Sequence, residues 1–100
     1  MENTINLQKA ALVIDPSDNV AVALTDLKKG EMCFLRFSDK EEEVTLLEDI
    51  AFGHKLAIFD IEKDESVLKY GEEIGKMLVS VQKGAYIHNH NMYCERGMKS

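Results

Sequence analysis

The sequence has no tryptophan, one proline and two cysteines in 100 residues. It also lacks an excess of basic charge: 12 Lys+Arg stand against 18 Asp+Glu, a formal charge of −6. Each shortage excludes something. Cys33 and Cys94 have no paired spacing, so no disulfide framework is indicated and a cytoplasmic setting is expected. Cys33 lies in an apolar run and reads as a small core residue; Cys94, in a polar tail, reads as a free thiol. The longest basic stretch is Lys28-Lys29, so the basic stripe of nucleic-acid binders is missing. The longest apolar runs are five residues, 10–14 and 20–24, against the ~20 that span a bilayer. Met1-Glu2-Asn3-Thr4 has neither the basic start nor the apolar stretch of a secretory leader. Neither nucleic acid nor membrane is expected as a partner.

What is present fits one small domain, 1–100, with its core at about residues 10–92. A domain of this size buries only ~60–70% of its extended-chain surface. Hydrophobic residues make up 45%, too rich for disorder. Ligand pockets of roughly 300–1,000 Å³ are hard to enclose with so thin a core. A binding module or a subunit of something larger is therefore expected. Residues 39–49 hold six acids against Lys40 alone. Glu41-Glu42-Glu43 reads as a solvated loop tip, held away from any anion-binding site or set against a partner.

Short alternating runs dominate. In residues 19–24, Val20, Val22 and Leu24 share one face and two alanines the other, the period of a strand. Residues 33–37 and 43–47 are two further strands, with a hairpin between them. Residues 55–59 and 66–70 follow, and then 85–90, which places Tyr86, His88 and His90 on one face. The Phe and Leu positions of these strands are expected in the core. Residues 71–81 are ambiguous: Ile74, Met77, Leu78 and Val81 fit helical spacing, yet Gly75 weakens a helix and the same run alternates as a strand. A strand is preferred.

The punctuation repeats. Thr25-Asp26-Leu27-Lys28-Lys29-Gly30 is echoed by residues 48–53, 59–64 and 79–84. Each unit has an acid or Ser, an aliphatic residue, two variable residues, then Gly or Asp. The short polar side chain is expected to bond a backbone N–H two or three residues on. The aliphatic residue plugs the core, and Gly or Asp takes the positive φ at the exit. Such units read as single helical turns or tight loops. The exits are spaced irregularly, which excludes a solenoid.

Four motifs then stand in order: Asp18-Asn19-Val20-Ala21-Val22-Ala23-Leu24, Gly53-His54-Lys55-Leu56-Ala57, Lys69-Tyr70-Gly71-Glu72-Glu73-Ile74-Gly75 and His88-Asn89-His90-Asn91. With these, the sequence resembles the SAF domain of the altronate and galactarate dehydratase family, in its free-standing small-subunit form. It is similar also to the alpha subunit of sulfolactate sulfo-lyase. The resemblance implies a mainly β, β-clip fold of compact, twisted strands, and favours a strand at 74–80. It implies β-elimination from a sugar acid of the altronate type, giving a 2-keto-3-deoxy acid. It further implies a large catalytic subunit as partner, and a divalent metal, Fe(II) or Mn(II), held mainly by that partner. The small chain alone would be inactive.

The residues leave alternatives open. His88 and His90, two apart on an extended run, leave the same face. They could bind one metal, bind a carboxylate or transfer protons, or could be a surface pair bonded to neighbours. The resemblance implies a catalytic role for both. It places His54 and Lys55 near the substrate end, though an exposed turn with a strand-start lysine is the plain alternative. Lys69, Tyr70 and Gly71 are similarly implied to bind hydroxyls and carboxylate, with Lys76 and Asn91 as further contacts. Against these stands a solvated Lys69 and a half-buried, packing Tyr70. A non-catalytic SAF binding module is the alternative for the chain as a whole.

Overall fold

The computed structural model describes residues 9–94. The expected polar termini, with the start Met1-Glu2-Asn3-Thr4, lie almost wholly outside the described residues. Among the described residues there are nine strands and no helix. They are β1 (Ala10–Leu12), β2 (Val20–Ala23), β3 (Met32–Arg36), β4 (Glu41–Thr45), β5 (Lys55–Ala57), β6 (Ser66–Lys69), β7 (Glu72–Met77), β8 (Tyr86–Ile87) and β9 (Met92–Tyr93). Two sheets result, one ordered β4-β3-β1-β2-β5-β8 and a smaller one ordered β6-β7-β9. The expectation of a mainly β chain of short strands holds, in keeping with a β-clip.

Period two decides the packing. One face of the large sheet carries Ala11, Ala21, Ala23, Cys33, Leu35, Val44 and Leu56, which close the first core with Leu27, Leu46, Ile50 and Ile58. The opposite face carries Val20, Ala57 and Ile87, covered by Val67, Met77 and Met92 of the small sheet. In β2, therefore, the alanine face is buried deepest, because the first core is tightly closed there. The small sheet covers only part of the second face. Leu12 (38% exposed), Leu24 (36%) and Met32 (49%) of that face stay open. Phe59, expected in the core, is also 56% exposed, because β5 ends at Ala57.

Residues 72–77 form a strand, resolving the ambiguity of that segment. Gly75 has a local reason: a Cβ there would meet the Tyr93 carbonyl oxygen of β9 at 2.7 Å. The predicted hairpin is β3–β4, with Arg36 opposite Glu41 and Phe34 opposite Glu43. This corrects the reading of Glu41-Glu42-Glu43 as a loop tip. All three lie in β4, the edge strand, where charge discourages further pairing.

The repeated units are not helical turns, and their caps are not local. Leu27 and Ile50 exchange both backbone hydrogen bonds, and so do Ile61 and Val81. The units thus pair two by two. Asp26 accepts from the Phe52 N–H of its partner unit, and Asp49 accepts from Lys29 N–H. In the second pair Asp60 accepts from Lys83 N–H and Ser80 from Lys63 N–H. Each cap therefore serves the other unit's turn. The exits do adopt positive φ, at Gly30, Gly53, Asp64 and Gly84.

Candidate functional site

The unit at 48–53 ends at Gly53, and His54 follows on the fourth position of its turn, His54 N–H donating to the Ala51 carbonyl at 3.0 Å. β5 then pairs with β8, Lys55 opposite Ile87 and Leu56 opposite Tyr86. Continuing that antiparallel register by one step sets His54 against His88. Their rings lie 5.3 Å apart, edge to face. Tyr86, two residues before His88, stacks on it at 5.8 Å with the ring planes 12° apart. The Tyr86 hydroxyl lies 3.0 Å from His54 Nδ1. His90 comes within 5.3 Å of the Tyr86 ring.

His88 and His90 do not share a strand as expected. β8 stops at Ile87, and His88 opens a turn closed by Asn91 N–H donating to the His88 carbonyl at 3.1 Å. Two residues are enough to project both rings to the Tyr86 side. Asn91, expected to touch substrate, is 7% exposed. Its Oδ1 accepts from His88 N–H at 3.0 Å and its Nδ2 donates to the Tyr86 carbonyl at 2.8 Å. Asn91 is thereby a support beneath the histidine turn, because both its amide groups are engaged with backbone.

Consecutive strand residues leave opposite faces, so Lys55 lies across β5 from His54, toward the small sheet. Burial pushes its amine below the ordinary lysine range, and the neighbouring Lys69 charge adds to this. The His88 imidazole is also held below its ordinary range, first by desolvation and then by Lys55, His54 and His90. Among the described residues, no carboxylate forms an ion pair with Lys55 or Lys69. Lys69 Nζ lies 5.1 Å over the Tyr70 ring. The result is a band of amines and imidazoles along the β5–β8 edge, suited to an anion.

Lys69, Tyr70 and Gly71 belong to a tight hairpin between β6 and β7. Tyr70 (φ 58°) and Gly71 (φ 77°) both take positive φ, the pattern of a two-residue type I′ turn. Asp18, 2% exposed, holds this turn. Its carboxylate accepts from the N–H groups of Tyr70 at 3.0 Å, Gly71 at 2.8 Å and Asp15 at 3.0 Å. Asn19 adds Oδ1 to Leu68 N–H and Nδ2 to the Ser66 carbonyl. The Asp18-Asn19 pair therefore fixes the small sheet, and Lys69 with it, against the large one. Gly71 acts in the turn itself. Lys76 is drawn elsewhere: its ammonium pairs with Glu73 at 3.6 Å, and Glu73 also accepts from the Ser66 hydroxyl.

Three contributors were not singled out from the sequence as site residues: Tyr86, Asp18 and Glu48, whose Oε2 accepts from Tyr86 N–H at 3.1 Å. For Tyr86 the signal was there, in its shared face with His88 and His90. Cys33 is buried and free, its thiol pushed up to about 11 by desolvation, so it is inert at neutral pH. Among the described residues, no group of three or more His, Cys, Asp or Glu is placed to hold a metal ion. Tyr86 stands among the three imidazoles, so this edge does not fit a divalent metal by itself. No helix of the described residues is long and apolar enough to cross a membrane.

The chain is similar to proteins named as dehydratases and to a sulfo-lyase subunit. Altronate dehydratase of Escherichia coli is 46% identical over 74 residues, 74% of this chain and 14% of that protein. Altronate dehydratase of Bacillus subtilis is 36% identical over 83 residues, 83% of this chain and 16% of that protein. The chain thus spans about one-seventh of these dehydratases. (2R)-sulfolactate sulfo-lyase subunit alpha of Chromohalobacter salexigens is 33% identical over 88 residues, 85% of this chain and 94% of that subunit. Residues 9–95 match the altronate/galactarate dehydratase SAF domain, and that is the family to which this chain belongs.

Proposed function

We propose that the chain is the small subunit of a lyase that dehydrates a sugar acid of the altronate type, acting with a large catalytic subunit. The observation that carries this reading is the β5–β8 edge, where Lys55 and Lys69 have no ion-pairing carboxylate among the described residues and Lys55 acts on His88, whose ring lies 5.3 Å from that of His54. The two amines suit the substrate carboxylate. The reaction removes a proton from the carbon beside that carboxylate. The hydroxyl on the next carbon leaves, and the resulting enol becomes a 2-keto-3-deoxy acid, with water as the other product. Such a step needs a base and a donor to the developing negative oxygen.

His88 suits the base, because desolvation and its cationic neighbours Lys55, His54 and His90 favour the neutral imidazole. His90 and His54 suit hydrogen bonding to the acid or its hydroxyls. Tyr70, exposed beside Lys69, is a further substrate contact, while Gly71 and Asn91 shape the turns that carry these groups. Lys76, paired with Glu73, contributes least. The divalent ion of this reading, Fe(II) or Mn(II), belongs to the large subunit, and no step here runs through it. The partially open sheet face at Leu12, Leu24 and Met32 supports a protein partner.

The test mixes purified chain, candidate large subunit, metal and altronate, and assays the 2-keto-3-deoxy acid. Activity is expected only from the mixture. Full activity with both His88→Ala and His90→Ala would remove the assignment of the site. A second reading, the alpha subunit of a sulfolactate sulfo-lyase, is favoured by one observation: the match spans 94% of a relative that is itself a subunit of this size. Sulfite release from sulfolactate by the same mixture would select it.

A further inference from the structure

We infer that Tyr86 is a positioning residue that fixes the tautomer of His54. The reading of what His54 then does rests on the lyase function proposed above. The Tyr86 hydroxyl and His54 Nδ1 are 3.0 Å apart, and this is the hydrogen bond of both groups among the described residues. A phenol O–H gives up its proton more readily than the N–H of a neutral imidazole, and the bare imidazole nitrogen is the better acceptor. The proton of the bond therefore sits on the Tyr86 oxygen. Nδ1 accepts, and neutral His54 must carry its own proton on Nε2.

The geometry around Tyr86 is built to hold this contact. Its N–H is bound by Glu48 Oε2 and its carbonyl by Asn91 Nδ2, so the backbone is fixed on both sides. Its ring is stacked on His88 and approached by His90, which restricts rotation. His54 in turn is fixed by its turn and by Ala23 N–H donating to its carbonyl at 2.8 Å. A fixed Nε2–H is a hydrogen-bond donor of defined direction. It suits an enolate or carboxylate oxygen, and it separates the duties of neighbouring rings: His54 donates, while His88 is the neutral base.

Nitrogen-15 NMR of the imidazoles in the isolated chain tests this directly. His54 signals are assigned with His54→Gln, and His88 and His90 serve as internal references. Neutral His54 is expected in the Nε2–H form. Tyr86→Phe keeps the stacked ring and removes only the oxygen, so His54 is expected to become a mixture of both tautomers. Neutral His54 found as Nδ1–H, or a tautomer unchanged in Tyr86→Phe, would overturn the inference. If Tyr86→Phe does not fold, the tautomer of the unmodified chain decides alone. In the two-subunit assay, Tyr86→Phe is expected to lower kcat on the order of tenfold, with KM little changed. Failure of the unmodified mixture to turn over any acid would count against the lyase reading and leave the tautomer result standing.

Discussion

The two edges of the six-stranded sheet are opposites. At one end, β4 carries Glu41, Glu42 and Glu43, and two of these charges are met locally: Arg36 lies 3.4 Å from Glu41, and Lys40 lies 2.9 Å from Glu42. Toward the other end, Lys55 is held below its ordinary range by burial and by Lys69, and His88 by desolvation and then by Lys55, with no carboxylate ion-paired to either lysine among the described residues. Exposed pairs of the first kind contribute ~0–1 kcal/mol. Like charges held together without a counter-charge cost stability. The acidic edge therefore discourages strand pairing, while in the function proposed above the basic edge would take a ligand that brings negative charge. The formal charge of −6 is thus spread unevenly: Glu41 and Glu42 are paired with cations on the β3–β4 hairpin, whereas Lys55 and Lys69 have no ion-pairing carboxylate among the described residues.

The largest way to break this contrast is to release the hairpin that brings Lys69 to the basic edge. Asp18→Ala leaves three backbone N–H groups without their shared acceptor. A loss of about 3–5 kcal/mol is expected, read as a fall in the denaturant midpoint. Next in size is Lys55→Glu, which puts a negative charge where the Lys55 amine acts on His88. In the two-subunit assay kcat/KM for the sugar acid should fall at least about tenfold, mostly through KM. An unchanged KM would mean that the substrate carboxylate binds elsewhere.

Titration gives a subtler test of the basic edge. The folded state disfavours protonated His88, so the unfolded chain binds more protons between the depressed pKa and the ordinary value of about 6.5. Stability should rise with pH through that window and be complete above it. Lys55 acts the same way at higher pH, with stability rising toward about 10.4 as the amine loses its proton. Thermal melts of His88→Gln and Lys55→Met should each lose the corresponding rise. Lys55→Met should also melt higher than the unmodified chain at pH 7, since it removes a half-buried charge with no ion-pairing carboxylate among the described residues.

The strands were legible in the sequence because alternation is local: residues 20–24, 33–37 and 55–57 announce their faces without knowledge of partners. The positive-φ exits at Gly30, Gly53, Asp64 and Gly84 were legible for the same reason. The destination of each cap was not. Asp26 lies next to Leu27 in sequence, yet its acceptor oxygen serves Phe52, which only the pairing of Leu27 with Ile50 reveals. The site divided along the same line. His54, Lys55, His88 and His90 belong to motifs readable one at a time. The His54–Tyr86 contact depends on the β5–β8 register, and the role of Asn91 on its burial. Glu41-Glu42-Glu43 was misread because a charged run resembles a loop, whereas an edge strand has one side open to water and accepts such residues.

The hairpin tip sharpens the comparison by a smaller amount. Tyr70 is 58% exposed at φ 58°, a backbone region that Asn and Gly occupy with less strain. Tyr70→Asn should raise stability by about 1 kcal/mol, because the Asp18 bonds to the backbone are retained. If Tyr70 contacts the acid, the same substitution should raise KM. A gain in stability without any change in KM would leave the strain at the tip unexplained by substrate.

The smallest effect is expected at the acidic edge, and it is the control that gives the others meaning. Glu43 lies opposite Phe34 on β4 and is exposed, with its charge in water. Glu43→Lys should change stability by no more than about 0.5 kcal/mol, since lysine is also a common edge-strand residue. It changes the net charge by as much as Lys55→Glu does, with the opposite sign. If overall charge attracted the substrate, the two reversals would alter KM in opposite directions by similar factors, more strongly at low salt. If the local basic edge holds it, Glu43→Lys should leave KM within about twofold while Lys55→Glu raises it. A fall in KM for Glu43→Lys comparable to that rise would show that the edges act through their summed field, and the distinction between them would lose its functional meaning.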